Sequence, residues 1–480
     1  MNATLATTPR RPVVAVVIAV DISVLLWAVS VRFGSAELRF PAIPVAQLTF
    51  LAVQLAFPRL RWARDHVLGP ANVALLLFAL QLVVIPTLIS VGGLYRGRLA
   101  SAPAETYINL ALLLQAVSYL SYALGHSLAM RARRPARWWD GSTSIVPLGW
   151  SFVAVGLVGV ILSFHSIGSV VDYFSGRGDV FGSTRTTLAD AAGTFLRPFA
   201  AYGLIAVWCA RLIRRRDGQR PTIWADLLLI VGALAVSATY SYNRAAVVVP
   251  VIALLATYSL HAHRLRAGMV AAVALIITIL AFQFGNYRDV YTGTLGGTVT
   301  REQANLGSDR PSLMDQIQLY GNGPQFWAVT IADTAHRSFV LGETIVGSIM
   351  LPIPILGKPF RSSSGPVEYN ALVYGRGGVD DQILAVGAEL YWNFGMAGVA
   401  GGYLLLGWAV RRLDERSKKS SDALATYTYC YIGVWVALSV INSLSVLAQI
   451  LVYFLWPVYV MMLLRRRRPG GSPRAGETPA

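Results

Sequence analysis

Apolar runs long enough to cross a lipid bilayer recur along this chain from Pro12 to Leu464, and the short connections between them are alternately basic and nearly uncharged. A helix needs about 20 apolar residues to cross a hydrocarbon core of about 30 Å. Only closed barrels and helices satisfy their backbone hydrogen bonds in lipid, and runs of this length select helices. The pattern predicts spans over 12–30, 40–58, 68–94, 105–130, 145–165, 190–210, 223–241, 243–262, 268–285, 383–410, 423–444 and 446–464. The expected fold is an all-α polytopic integral membrane protein of about twelve transmembrane helices. Hydrophobic residues at 55%, charged residues at 14% and a mean hydropathy of +0.53 agree with lipid as the solvent.

The formal net charge of +17 would suggest nucleic acid in a soluble protein. Its placement argues otherwise. Arg10–Arg11, Arg59–Arg64, Arg131–Arg137, Arg211–Arg220, Arg264–Arg266, Arg411–Lys419 and Arg465–Arg474 hold 26 of the 41 lysines and arginines. All lie in alternate connections or near the termini, so the positive-inside rule makes both termini cytoplasmic and excludes a nucleic-acid partner. One span more or fewer would export a basic cluster. The first apolar run has no small-residue cleavage pattern and reads as a retained span. The two cysteines, Cys209 and Cys430, support neither a disulfide framework nor a zinc site.

This parity divides the chain into spans one to nine (1–285), a long extracytoplasmic loop (286–382), spans ten to twelve (383–464) and a disordered basic tail (465–480). Loops of about one hundred residues are uncommon and often functional. This one carries helical patterning over Ser312–Tyr320 and Gln325–His336, broken by Gly321 and Gly323-Pro324, so it is expected to be structured. The apolar stretch Phe339–Leu356 carries Glu343, Pro352 and Pro354 and is expected to be re-entrant or interfacial.

Familiar catalytic signatures are absent. Gly357-Lys358-Pro359 is not a nucleotide-binding loop, and there is no metal-binding histidine pair or serine elbow. No metal and no cofactor is expected. Outward-facing arginines remain: Arg177 and Arg185 before span six, Arg197 in its first turns, Arg244 opening span eight and Arg288 after span nine. Each has a plain reading as a headgroup anchor. A guanidinium near the membrane surface also suits a lipid-linked diphosphate, which it can hold with paired hydrogen bonds. His165 and His336 are the histidines expected to face outward. His336, beside Arg337, is the favoured general base, because imidazole titrates near neutrality. Glu389 lies inside span ten, where an ionisable group is a functional candidate, with a structural ion pair as its plain role.

Three segments resemble the Wzy-type oligosaccharide repeat-unit polymerases (O-antigen polymerases), which are related to O-antigen ligases. They are Tyr242-Asn243-Arg244-Ala245-Ala246 opening an apolar helix, Leu341-Gly342-Glu343-Thr344 leading to Leu351-Pro352-Ile353-Pro354 and Gly357-Lys358-Pro359, and Glu389-Leu390-Tyr391-Trp392-Asn393-Phe394-Gly395 followed by Gly398, Gly401 and Gly402. The similarity covers mainly 240–410. The chain departs from that family at Ala245-Ala246, where glycine is common, and at Ile355, where an arginine often follows the proline. The resemblance implies a GT-C-like, metal-independent glycosyltransferase of the bacterial cytoplasmic membrane. Its substrate would be undecaprenyl-diphosphate-linked oligosaccharide, polymerised at the outer face. Membrane lipids, a flippase and a chain-length regulator would be its partners. In that scheme Arg244 and Arg288 hold the donor diphosphate, helped by Arg177, Arg185, Arg197, Arg337 and Lys358, and His336 or Glu389 takes the acceptor proton. Alternative readings are a lipid-linked oligosaccharide flippase or transporter, and a ligase. Arg244→Ala and Arg288→Ala are each expected to abolish polymer while the protein still inserts, which a surface-glycan gel beside a membrane immunoblot would check.

Overall fold

The computed structural model describes residues 40–57, 60, 62–63, 66–95, 103–129, 145–163, 188–216, 222–239, 245–263, 312–353, 357, 359–360, 362–374 and 384–466. Among these residues the protein is all helical. In chain order the helices are α1 (Ala42–Ala56), α2 (Pro70–Gly92), α3 (Glu105–Leu128), α4 (Ile145–Ser163), α5 (Leu188–Arg216), α6 (Ile223–Ala238) and α7 (Ala245–His261). Then come α8 (Leu313–Tyr320), α9 (Pro324–His336), α10 (Glu343–Met350), α11 (Gly365–Tyr374), α12 (Val386–Lys419), α13 (Ala423–Leu438), α14 (Leu444–Phe454) and α15 (Trp456–Arg466). Every expected span that falls within the described residues contains a helix. By length and composition, five helical stretches can cross a membrane: Pro70–Gly92, Glu105–Leu128, Ile145–Ser163, Ala192–Arg215 and Val386–Lys419. The expected spans 12–30 and 268–285 lie outside the described residues.

Small residues set the packing. In lipid, helices gain little from apolar burial against one another, so close backbone approach carries more of the association. Gly156 and Gly159 of α4 lie against the backbone at Ala200 and Arg197 of α5. Gly125 of α3 lies on the Leu404 carbonyl of α12, and Gly407 returns the contact on the Tyr122 carbonyl. Two apolar clusters follow from these pairings. One gathers Phe78, Tyr119, Tyr122, Trp327 and Tyr403; the other gathers Tyr202, Cys209, Tyr427 and Trp435. Two π-helical turns, Leu80–Val84 and Ile450–Phe454, precede Pro86 and Pro457, whose missing N–H groups loosen the helical ladder there.

The described basic residues near the C-terminal ends of α5 and α12 gather at one end of the bundle. Arg411 and Lys419 pair with Glu415, Lys418 pairs with Asp414, and Arg211 and Arg215 pair with Asp226. His66 Nδ1 meets Asp414 Oδ1 at 3.2 Å, and His261 Nε2 meets Thr426 Oγ1 at 2.9 Å at the same end. The Gly92 end of α2 and the Glu105 end of α3 therefore point the other way.

Two features differ from the sequence expectation. Span ten is not one straight crossing. Gly395 takes φ +63° and ψ −151°, a conformation that favours glycine, and the chain doubles back there. Leu390 thus packs against Gly398 and Gly402, and a Cβ on Gly387 would stand 2.8 Å from the Tyr403 hydroxyl. The second difference concerns the long loop. Within the stretch expected to be re-entrant or interfacial, Phe339–Leu356, residues Glu343–Met350 form the short helix α10 against α12 and α14. Among the described loop residues, the α8–α9 hairpin reaches into the helix bundle, which the sequence did not suggest. Its Gly321-Asn322-Gly323 turn meets Gln81 and Gln115, each about midway along its helix and so roughly 15 Å from the helix end. Substituting Gly125→Val should force α3 and α12 apart, costing at least about 1–3 kcal/mol. A lowered melting temperature and loss of the monodisperse species in detergent would show it.

Candidate functional site

The residues Glu389, Trp392 and Asn393 sit at i, i+3 and i+4 and so share one face of the first segment of α12. Each ties that face to a different part of the loop. Glu389 is fully enclosed (0% exposed); its Oε1 accepts from Ser348 Oγ of α10 at 2.7 Å and its Oε2 from Leu444 N of α14 at 3.2 Å. Leu444 opens α14, so the carboxylate satisfies one of the N–H groups that no helix can bond internally, at the positive end of the helix dipole. Gly365 N donates to the same Ser348 hydroxyl, which brings in α11. Asn393 donates to Thr344 Oγ1 at 2.6 Å and accepts from Gly342 N at 2.8 Å. Trp392 accepts from Val340 N through its carbonyl and donates through Nε1 to Asp333 Oδ2 at 2.9 Å.

Beyond this enclosed seam lies an open, charged mouth. Asp333 Oδ1 holds Arg337 Nε at 3.4 Å, and the Arg337 side chain is 72% exposed. His336, the last residue of α9, is exposed beside it. Glu368 of α11 is partly buried, and its carboxyl is pushed up to about 7. Burial is the main cause, and the negative charges of Glu343 and Asp333 add to it, while Arg337 opposes them. Tyr369 OH donates to Phe326 O at 3.0 Å and so fixes α11 against α9. Among the described residues, no group of three His, Cys, Asp or Glu side chains is arranged to hold a metal ion.

The residues singled out from the sequence have separate fates. His336 and Arg337 meet at the mouth. Glu389 lies behind them, sealed and hydrogen-bonded through both oxygens, a geometry that suits a tether better than a proton acceptor. Arg197 is 6% exposed and donates to Thr239 O at the end of α6 and to Thr194 Oγ1 at 3.2 Å. It belongs to the α4–α5–α6 packing, away from the mouth. Arg177, Arg185, Arg244, Arg288 and Lys358 lie outside the described residues. Sequence reasoning missed Glu368 and Asp333. Asp333 carried one readable signal, its i, i+4 spacing to Arg337; Glu368 carried none, because its neighbours Glu343 and Asp333 come from other helices.

Comparison with protein-family models, with curated proteins and with solved structures gives no match.

Removing the Glu389 carboxylate would strand Leu444 N and Ser348 in an enclosed space. Glu389→Ala should therefore destabilise the protein by about 3 kcal/mol or more, whereas Glu389→Gln, which keeps an acceptor and the volume, should cost much less. Melting temperatures of the two variants in detergent would separate these outcomes.

Proposed function

We propose that this protein is a membrane glycosyltransferase that joins lipid-diphosphate-linked oligosaccharide units at the face opposite its basic end. The observation that carries the reading is Glu368. It is a partly buried carboxyl held near neutrality, beside an exposed histidine and arginine, on a platform of helices locked to α12. A general base works best when its pKa lies near the ambient pH. The resemblance of the 341–359 and 389–402 segments to repeat-unit polymerases supports the same chemistry, because both segments build this platform.

The proposed step is a displacement at the anomeric carbon of the donor. Glu368 takes the proton of an acceptor sugar hydroxyl, and that oxygen forms the new glycosidic bond. The bond from the anomeric carbon to the diphosphate oxygen breaks, and the undecaprenyl diphosphate leaves with the electron pair. Cationic side chains offset the charge on the departing diphosphate, with Arg337 at the mouth and Arg244 and Arg288 as further donors. This assignment moves the base from His336 or Glu389 to Glu368. Asp333, Glu343 and Glu368 suit the acceptor side, since carboxylates accept hydrogen bonds from sugar hydroxyls and repel a diphosphate.

A second reading has its own observation. An inserted helical hairpin and a helix broken at Gly395 are features that transporters use to build sites within the membrane. Glycan profiling of a deletion strain discriminates between the readings. Single repeat units that are exported but not lengthened support a polymerase. Full-length polymer stranded on its lipid carrier supports a ligase, and units trapped on the cytoplasmic face support a flippase. For the polymerase, activity should rise with pH through about 7 as Glu368 ionises. Glu368→Gln should lose polymer by at least about 100-fold and flatten that profile. Stability should move the opposite way. A carboxyl whose pKa is higher folded than unfolded stabilises the protein at low pH, and that contribution is lost as pH rises through about 7. The wild-type melting temperature should fall over that window more than that of Glu368→Gln.

A further inference from the structure

The tip of the α8–α9 hairpin gathers hydrogen-bond acceptors that no protein group satisfies. Gln81 Nε2 donates to Gly321 O at 3.4 Å and to Val440 O at 3.2 Å, and Gln115 Nε2 donates to Asn322 O at 3.3 Å. Gln325 Nε2 donates to Gln318 Oε1 at 3.5 Å, and that oxygen in turn accepts from Tyr95 N at 2.9 Å. These partners fix the orientation of all three amides, because a flipped amide would set oxygen against oxygen. Their three Oε1 atoms are buried and without partners, on side chains that are 1%, 1% and 0% exposed. All three residues surround the same short turn, Gly321-Asn322-Gly323, with Gln325 Oε1 lying against Gly323.

Three buried orphan oxygens around one turn favour a partner of opposite polarity. The backbone supplies the same sign. The C-terminal ends of α8 and α13, at Tyr320 and Leu438, both run into this region and carry partial negative charge. One N-terminal end, that of α9, opposes them, and its first residue, Pro324, has no N–H. Gln81 lies in the π-helical turn of α2, a distortion often found at functional positions. Among the described residues, no lysine, arginine or carboxylate pairs with Gln81, Gln115 or Gln325. A divalent ion without carboxylate ligands is disfavoured, whereas neutral amide and carbonyl oxygens are the donor set that takes a desolvated monovalent cation.

We propose that Gln81, Gln115 and Gln325, with the carbonyls of the hairpin turn, form a binding site for a monovalent metal cation, sodium or potassium. The cation locks the inserted hairpin between α2 and α3 and so holds in place α9, whose far end carries Asp333 and His336. The site stands apart from the mouth and does not depend on the glycosyltransferase reading.

The test is the melting temperature of the purified full-length protein in sodium, potassium and choline chloride at equal ionic strength. Sodium or potassium should raise it over choline by about 2–5 °C in a saturable manner. Gln115→Leu and Gln81→Leu should each abolish that difference. Equal melting in all three salts, as expected if only water fills the site, would overturn the proposal. So would a cation effect that survives both substitutions. Should the leucine variants fail to fold, binding of radioactive sodium or rubidium to the wild-type protein decides: saturable uptake supports the site, and its absence removes it.

Discussion

Every backbone N–H and C=O placed inside a membrane must find its partner within the protein, because lipid offers none. The segments from α8 to the start of α14 are where this requirement is hardest to meet. Here the chain inserts a hairpin, breaks a helix at Gly395 and starts α14 in an enclosed setting. Each irregularity exposes backbone groups that a straight helix would satisfy internally. The side chains that resolve them are polar residues on otherwise apolar helices. Glu389 takes Leu444 N, Asn393 takes Gly342 N, and Gln81 and Gln115 reach the carbonyls of the hairpin turn. Such residues are costly in a membrane, so their presence at these irregularities indicates where the fold departs from simple crossing helices.

That distribution explains what could be read from the sequence. The helices α2 to α7 follow from unbroken apolar runs, and hydropathy registers those directly. The break in α12 leaves almost no trace in hydropathy, since residues on both sides of Gly395 are apolar; only a backbone dihedral distinguishes the two legs. The α8–α9 hairpin was legible as helix and turn, through the helical patterning over Ser312–Tyr320 and Gln325–His336 and the break at Gly321 and Gly323-Pro324. Its insertion was not legible. No local pattern marks Gln318 for burial, which depends on Gly93 and Tyr95, hydrogen-bonded to it from far away in sequence.

The site followed the same rule. Glu389 was conspicuous because a charge inside an apolar run stands out, and the structure gives it a tethering geometry. The Glu389-Trp392-Asn393 spacing encodes three attachments to the loop, a function that motif reading alone cannot separate from catalysis. Glu368 was inconspicuous because its perturbation is tertiary: its burial in the folded loop, and the charges of Glu343 and Asp333 brought in by α10 and α9.

The charges at the mouth also constrain how a lipid-linked donor could approach. Asp333 Oδ1 meets Arg337 Nε at 3.4 Å, and the Arg337 side chain stays largely exposed. A diphosphate approaching from the Glu343 and Glu368 side would meet negative charge, and one approaching from the exposed side of Arg337 would meet positive charge. On the proposed reading, donor and acceptor therefore enter from different sides of α9, with the phosphates at the Arg337 edge and the hydroxyl at Glu368. Because Trp392 orients Asp333, and Asp333 orients Arg337, the enclosed seam sets the geometry of the exposed edge. A tether such as Glu389 can then act on catalysis without touching substrate.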